Sequence, residues 1–179
     1  MNDNFASTNS LKFGAYSAIC SFVIFLSVYF SGYNPLGESS WLGAWVPLLF
    51  IIIGIIKLKR QQYDYLTFKQ GFRTGFTITF SAGLLFASMV YIFGSLYAKD
   101  LIDMQKIETL DKMEQMKTFF SERFYEELNK NMDEITMGTL VTSDFLSKLL
   151  GGTIISLIVS LFLKNNVLPP HTESHPDEN

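Results

Sequence analysis

Four long apolar blocks divide this chain, and they constrain its fold more strongly than any other feature of the sequence. The blocks are residues 11–31, 41–56, 72–98 and 145–163. Lys148 is the only charge inside a block, apart from Lys12 and Arg73 at block ends. About 20 helical residues cross the hydrocarbon core of a bilayer, and snorkelling Lys57 and Lys59 side chains can extend the short second block. The remaining polar residues are too few to cover four such blocks in water, so the sequence predicts four transmembrane helices.

The predicted fold class is therefore an all-α membrane protein with a single four-span domain, residues 1–164. We expect the spans at about 11–31, 41–58, 72–98 and 144–163, with an extracytoplasmic helical segment at about 99–135. Residues 165–179 contain three prolines and few apolar side chains, which predicts a disordered cytoplasmic tail. The net charge of −3 is mild and no basic stripe carries exposed aromatics, so no nucleic-acid partner is expected.

The charges between the blocks predict the orientation in the membrane. Residues 57–73 carry five basic side chains and one acidic one, whereas residues 33–40 carry one acidic side chain and no basic one. Because cytoplasmic loops are enriched in Lys and Arg, residues 57–73 and both termini are predicted to be cytoplasmic. The aromatic side chains within 57–73 fit either a segment on the headgroup surface or a plain tight connection, and the sequence leaves both open.

The segment between the third and fourth spans is charged but periodic. Residues 99–134 carry six basic and ten acidic side chains. Apolar side chains recur there at steps of mostly three or four: Ile102, Ile107, Leu110, Met113, Met116, Phe120, Phe124, Leu128 and Met132. This stripe predicts an amphipathic helix. Because 97–132 contains neither Pro nor Gly, we expect the third span to leave the membrane and continue as a helix in water. That helix is either straight for about 50 Å or folded into a hairpin near 118–121. Gly138 predicts a turn, and residues 142–144 offer N-caps for the last span.

Small residues recur every four positions in the third and fourth spans. One stripe is Gly75, Thr79, Gly83 and Ala87, and the other is Gly152, Ser156 and Ser160. Small side chains on one helix face allow a neighbouring backbone to approach closely, which gains van der Waals contact in lipid. We expect the two stripes to face other spans, and each other.

Few side chains in this sequence could carry chemistry. Asp144 and Lys148 fit either a proton or coupling-ion site or an interfacial ion pair, and the predicted start of the last span near 144 favours the ion pair. Asp144→Asn is accordingly expected to be nearly silent. His171 and His175 would suit a metal only in a helix, which the flanking prolines disfavour. Cys20 is expected to be a small buried side chain. The sequence therefore predicts no enzyme, no metal and no cofactor.

The stretch 66–76, Leu-Thr-Phe-Lys-Gln-Gly-Phe-Arg-Thr-Gly-Phe, leads directly into the third span. With a charged helix after that span and a Gly-containing last span, the layout resembles an uncharacterised family of bacterial four-helix inner-membrane proteins, a domain-of-unknown-function family. The chain departs from the family at 98–100, Ala-Lys-Asp, where members often have Asn-Pro or Asp-Pro. The resemblance implies a multi-pass protein of the bacterial cytoplasmic (inner) membrane, and it brings no known activity and no functional residues.

These patterns favour a structural or interaction subunit over an enzyme. Besides the lipid bilayer, its partner would be a second copy or another membrane or periplasmic protein. The expected partner-binding side chains lie on the extracytoplasmic segment: Met104, Met113, Met116, Phe119, Phe120 and Phe124. Two alternatives stay open: a small transporter or channel subunit that works as an oligomer, and a stripe that folds back onto the bundle instead of binding a partner.

Overall fold

The computed structural model describes residues 3–115 and 135–165, with side chains from Thr8 onward. This part of the chain forms five α-helices and no strand. The helices are α1 (Asp3–Phe30), α2 (Trp41–Gln61), α3 (Phe68–Leu96), α4 (Leu101–Gln115) and α5 (Met137–Leu163). A single 3₁₀ turn, Glu38–Ser40, precedes α2.

Four of these helices are long and apolar enough to cross a membrane, which confirms the predicted all-helical fold with four helices that could span a bilayer. The segments are Thr8–Phe30, Glu38–Gln61, Phe68–Leu96 and Met137–Leu163. Their most apolar stretches bury only 17–28% of their residues inside the protein. The apolar side chains left outside suggest a multi-pass membrane protein, since a soluble protein rarely exposes so large an apolar surface.

Helix α3 lies at the centre of the bundle and packs against α1, α2 and α5. The buried side chains form two clusters, one toward each end of the bundle. The cluster nearer α4 comprises Ala18, Phe25, Phe86, Val90, Ala98, Leu101, Met137 and Val141. The other cluster comprises Ile51, Ile55, Leu58, Leu66 and Ile78.

The α2–α3 connection and the end of α5 are joined by a reciprocal pair of hydrogen bonds. The backbone N–H of Leu66 donates to the Oδ1 atom of Asn165 at 3.0 Å, and the N–H of Asn165 donates to the Leu66 carbonyl at 2.9 Å. Lys59 Nζ also donates to the Leu163 carbonyl at 3.0 Å, one of the last carbonyls of α5 that lack helical partners. The last helix is therefore tied to the middle of the chain.

The start of α5 differs from the prediction. Thr136 and Thr139 form a capping box, in which each threonine hydroxyl accepts the backbone N–H of the other residue. The helix therefore begins at Met137, not near residue 144, and Gly138 lies inside it instead of forming a turn. The last helix is therefore about two turns longer than predicted. In the same way, α1 begins at Asp3 and not near residue 11.

The prediction that the third span continues without a break into the charged segment is also wrong. The choice between a straight helix and a hairpin near 118–121 lies outside the described residues. Helix α3 ends at Leu96, and the chain turns through 97–100 before α4 begins. Ala98 and Leu101 on either side of this turn are completely buried in the core cluster. Burying these two side chains against the bundle outweighs the intrinsic helical preference of the segment, so α4 folds over the bundle end instead of continuing straight.

Candidate functional site

Helix α4 is anchored to the loop between α1 and α2 by contacts that centre on one carboxylate, Glu108. Its Oε2 atom accepts a hydrogen bond from Asn34 Nδ2 at 2.7 Å, and its Oε1 atom accepts the backbone N–H of Glu38 at 2.6 Å. Lys112 Nζ lies 2.8 Å from the same Oε1 atom and 3.6 Å from the Glu38 carboxylate. We call Asn34, Glu38, Glu108 and Lys112 the α4 anchor.

The loop is shaped to meet this carboxylate. The Oδ1 atom of Asn34 accepts the backbone N–H of Leu36 at 3.0 Å, an Asx turn that orients the Asn34 amide. The Nδ2 atom of Asn34 is then directed at α4, where it also donates to Gln105 Oε1 at 2.8 Å. Gly37 packs directly against the Glu108 carboxylate, and any side chain at this position would overlap it.

The electrostatics of the α4 anchor keep both charges in place. Burial alone would raise the pKa of Glu108, but hydrogen bonds from Lys112, the Glu38 N–H and Asn34 outweigh it, so the pKa lies below its ordinary value of 4.5. The hydrogen bond to Glu108 raises the pKa of Lys112 above its ordinary value of 10.5, and Glu38 adds to the effect. Near neutral pH the anchor is therefore an ion pair.

The apolar stripe of α4 divides into an inner and an outer part. Met104 packs against the core cluster and Met113 is 8% exposed, so these two predicted partner-binding side chains are covered. Ile107 and Leu110 are 61% and 40% exposed. Met116, Phe119, Phe120 and Phe124 lie outside the described residues. Met104 therefore follows the alternative in which the stripe folds back onto the bundle and does not bind a partner.

The small-residue stripes of α3 and α5 meet in antiparallel register. Gly75 lies against Ser156, whose Oγ would be 2.6 Å from a Cβ on the glycine, and Gly152 lies against Thr79. Ser160 faces Gly71, which lies one turn before the predicted α3 stripe and continues its four-residue spacing. The hydroxyls of Ser156 and Ser160 each donate to the carbonyl one turn earlier at 2.6 Å, so they are satisfied within α5.

The outer half of the α3 stripe meets different neighbours. A Cβ on Gly83 would lie 3.1 Å from the Phe145 ring, so this glycine makes room for an aromatic side chain of α5. Ala87 lines a shallow groove between α3 and α5, together with Gly138 and Val141. The close backbone approach is therefore concentrated between Gly71 and Thr79.

Asp144 and Lys148 form an ion pair that lies deeper than the sequence indicated. Lys148 Nζ is 2.6 Å and 2.5 Å from the two carboxylate oxygens of Asp144. The two residues are the eighth and twelfth of α5, about 10 Å and 16 Å from its start. The expectation that both lie in the first turns of the last span was wrong, because that expectation started the helix near residue 144.

The ammonium group of Lys148 points into the bundle. It lies 4.1 Å from the centre of the Phe86 ring, within the range of a cation–π contact. A cavity of about 20 Å³ adjoins it, roughly room for one water molecule. The lining includes Lys148, Phe86, Gly43 and the serines Ser21, Ser39 and Ser40.

The remaining candidate side chains from the sequence are Cys20, His171 and His175. Cys20 is exposed on α1, so the expectation of a buried side chain was wrong. His171 and His175 lie outside the described residues. Within the described residues, no cluster of three or more His, Cys, Asp or Glu side chains is arranged to hold a metal ion.

Comparison with known proteins places most of the chain in a family. Residues 12–165 match a family whose description is a protein of unknown function, DUF4199. The match confirms the resemblance to an uncharacterised family. No curated protein and no solved structure matches the chain.

Proposed function

We propose that this chain, which belongs to the DUF4199 family, is a non-enzymatic accessory subunit of a membrane and binds a partner through α4. The observation that carries the proposal is the arrangement of this helix. Glu108 anchors it to the α1–α2 loop, Leu101 is buried, and Ile107 and Leu110 are left exposed outside the four spans. A fixed amphipathic helix with exposed apolar side chains is a common docking element.

The proposed setting is the bacterial cytoplasmic (inner) membrane, with both termini in the cytoplasm and α4 outside. The asymmetry of basic residues between 57–73 and 33–40 supports this orientation. A cysteine at Glu114 should react with an impermeant thiol reagent in intact cells with a permeabilised outer membrane, whereas one at Gln62 should not. Reaction at Gln62 alone would invert the orientation. Cys20, the only native cysteine, is replaced in both variants.

Site-specific photo-cross-linking tests the docking surface. A photoreactive amino acid at Ile107 should give one discrete cross-linked product in native membranes, either a second copy or another protein. Tyr97 is the matched control, because it is 78% exposed at the same end of the bundle but lies outside α4. The product should weaken in a Leu110→Gln background, which leaves position 107 for the photoreactive amino acid. Equal products from Ile107 and Tyr97, or no product from Ile107, would reject α4 as the docking helix.

A small transporter or channel subunit is the second candidate. The depth of the Asp144–Lys148 pair favours it, since ionisable residues at membrane depth often mark ion or proton pathways. Ion flux in proteoliposomes that is lost in Asp144→Asn but retained in Ile107→Gln/Leu110→Gln would make this candidate the better one.

A further inference from the structure

The two ends of the bundle carry opposite charge. Among the described side chains, the end where α3 begins, which we call the basic end, carries Lys12, Lys57, Lys59, Arg60, Lys69, Arg73 and Lys164 against one acid, Asp64. The opposite end carries Glu38, Asp100, Asp103, Glu108, Asp111 and Glu114 with Lys99, Lys106 and Lys112. Within the described residues no side chain of the basic end forms an ion pair. Within this part of the chain, acidic side chains therefore leave most of the positive charge of the basic end unbalanced.

A row of stacked aromatic rings runs along α3 from the basic end toward the middle of the span. Phe68, Phe72, Phe76 and Phe80 are spaced one turn apart, with successive ring centres 6.0, 6.1 and 6.4 Å apart. We call these four residues the phenyl row. Three of its rings, at 68, 76 and 80, are 37–44% exposed. The row covers about 18 Å of helix, close to the roughly 15 Å of half a hydrocarbon core.

Two cations flank the outer end of the phenyl row. Lys69 and Arg73 directly follow Phe68 and Phe72 in the sequence, both are exposed, and they lie one turn apart on the adjoining face. Helix α3 contains no Asp or Glu that could neutralise them. Long basic side chains at this depth extend toward the headgroup region while their methylene groups stay in the apolar layer.

We infer that this face of α3 binds an anionic phospholipid, with its phosphate at Lys69 and Arg73 and an acyl chain along the phenyl row. Charge complementarity selects the headgroup, because two cations without an acidic partner among the described residues attract a lipid with net negative charge more strongly than a zwitterionic one. The phenyl row would contact an acyl chain of the lipid, since the length of the row is close to the thickness of one leaflet. This site is separate from α4 and from the Asp144–Lys148 pair.

Native mass spectrometry of the full chain tests the inference. The protein is purified from nanodiscs that contain equal amounts of phosphatidylglycerol and phosphatidylcholine with identical acyl chains, and the retained lipids are counted. The wild-type chain should retain phosphatidylglycerol preferentially. Lys69→Gln/Arg73→Gln should reduce that preference by about fivefold for each charge removed. Inorganic phosphate at millimolar concentration should not displace the lipid, because it has no acyl chain that could pack against the phenyl row.

The matched control is Lys12→Gln/Arg60→Gln, which removes the same charge from the same end but away from the phenyl row. It should keep the wild-type preference. An equal loss in both double variants would overturn the site in favour of diffuse attraction by the basic end. Lack of preference in the wild-type chain, which needs no variant, would also overturn it. Single Lys69→Gln and Arg73→Gln variants extend the comparison if the double variant does not fold.

Discussion

The side chain of Asn34 donates a 2.7 Å hydrogen bond to Glu108, and this bond joins two parts of the chain that are 74 residues apart. Asn34 lies in a turn that its own side chain helps to form, and Glu108 lies on the inner face of α4. The bond therefore connects the loop between the first two spans to the helix that follows the third. It places α4 against the bundle end and leaves Ile107 and Leu110 facing outward.

Replacing Glu108 should release α4 without unfolding the spans. Glu108→Ala removes the acceptor for Asn34, for the Glu38 N–H and for Lys112, and a lost hydrogen bond of this kind costs about 1–3 kcal/mol. Hydrogen exchange followed by mass spectrometry should show faster exchange in α4 and in 34–40. Asp103→Ala is the control, because Asp103 is an exposed acid of the same helix. Equal effects of the two variants would mean that Glu108 does not anchor α4.

The attachment of α4 should also depend on pH. Since the folded-state pKa of Glu108 is lowered, its contribution is fully present above its ordinary value of 4.5 and is lost as the pH falls through the lowered value. The pKa of Lys112 is raised, so its contribution is present below 10.5 and is lost as the pH rises through the raised value. Exchange in α4 should accelerate at both extremes, after correction for the intrinsic pH dependence of exchange. Glu108→Gln should flatten the acid limb, and an unchanged limb would assign it to other carboxylates.

Two adjacent glycines of α5 should respond differently to the same substitution. Gly152→Ala places a methyl group against Thr79 of α3, and overpacking of this kind costs typically 1–3 kcal/mol. Gly151→Ala should be tolerated, because nothing lies within 4 Å of a Cβ at Gly151. Thermal unfolding in detergent should rank the two variants in this order. Adding Thr79→Ala should restore part of the loss in Gly152→Ala, and a purely additive double variant would place the strain elsewhere.

The deeper position of Asp144 reverses the expectation that Asp144→Asn is nearly silent. Either single substitution, Asp144→Asn or Lys148→Gln, leaves one charge of this half-buried pair without its partner, which should cost less than the roughly 3 kcal/mol of a fully buried pair. The double variant removes both charges and should be more stable than either single variant. Unfolding in a denaturing detergent gives the comparison. Single variants as stable as the wild-type protein would mean that water reaches both side chains.

The helices and their contact faces could be predicted from local sequence patterns, whereas the connections between the helices could not. Spacing by four identified Gly75 and Ser156 as contact residues, because small side chains on one face allow close approach in any pairing. The register that puts Gly75 on Ser156 depends on the relative height of two helices, which the sequence does not encode locally. The Asn34–Glu108 bond joins distant residues with ordinary side chains, so nothing in the sequence distinguished it.

Two helix boundaries were misplaced for identifiable physical reasons. The turn at 97–100 contains neither Gly nor Pro, and it forms because Ala98 and Leu101 become buried in the core. Tertiary burial of this kind leaves no local signal. At the start of α5, Gly138 suggested a turn, but Thr136 and Thr139 form a capping box that starts the helix at Met137, one residue before Gly138. That capping pair uses a second threonine where Glu or Gln is the usual signature, which is why it was missed.

The reciprocal hydrogen bonds between Leu66 and Asn165 have a consequence for biosynthesis. A ribosome makes Leu66 long before Asn165, since the two are separated by 99 residues. During that interval the N–H and carbonyl of Leu66 can be satisfied only by water or by a temporary partner. The connection between the second and third spans therefore reaches its final form only after the last span has been translated and inserted. A chain truncated just before residue 165 would contain all four spans and still lack both hydrogen bonds between Leu66 and Asn165.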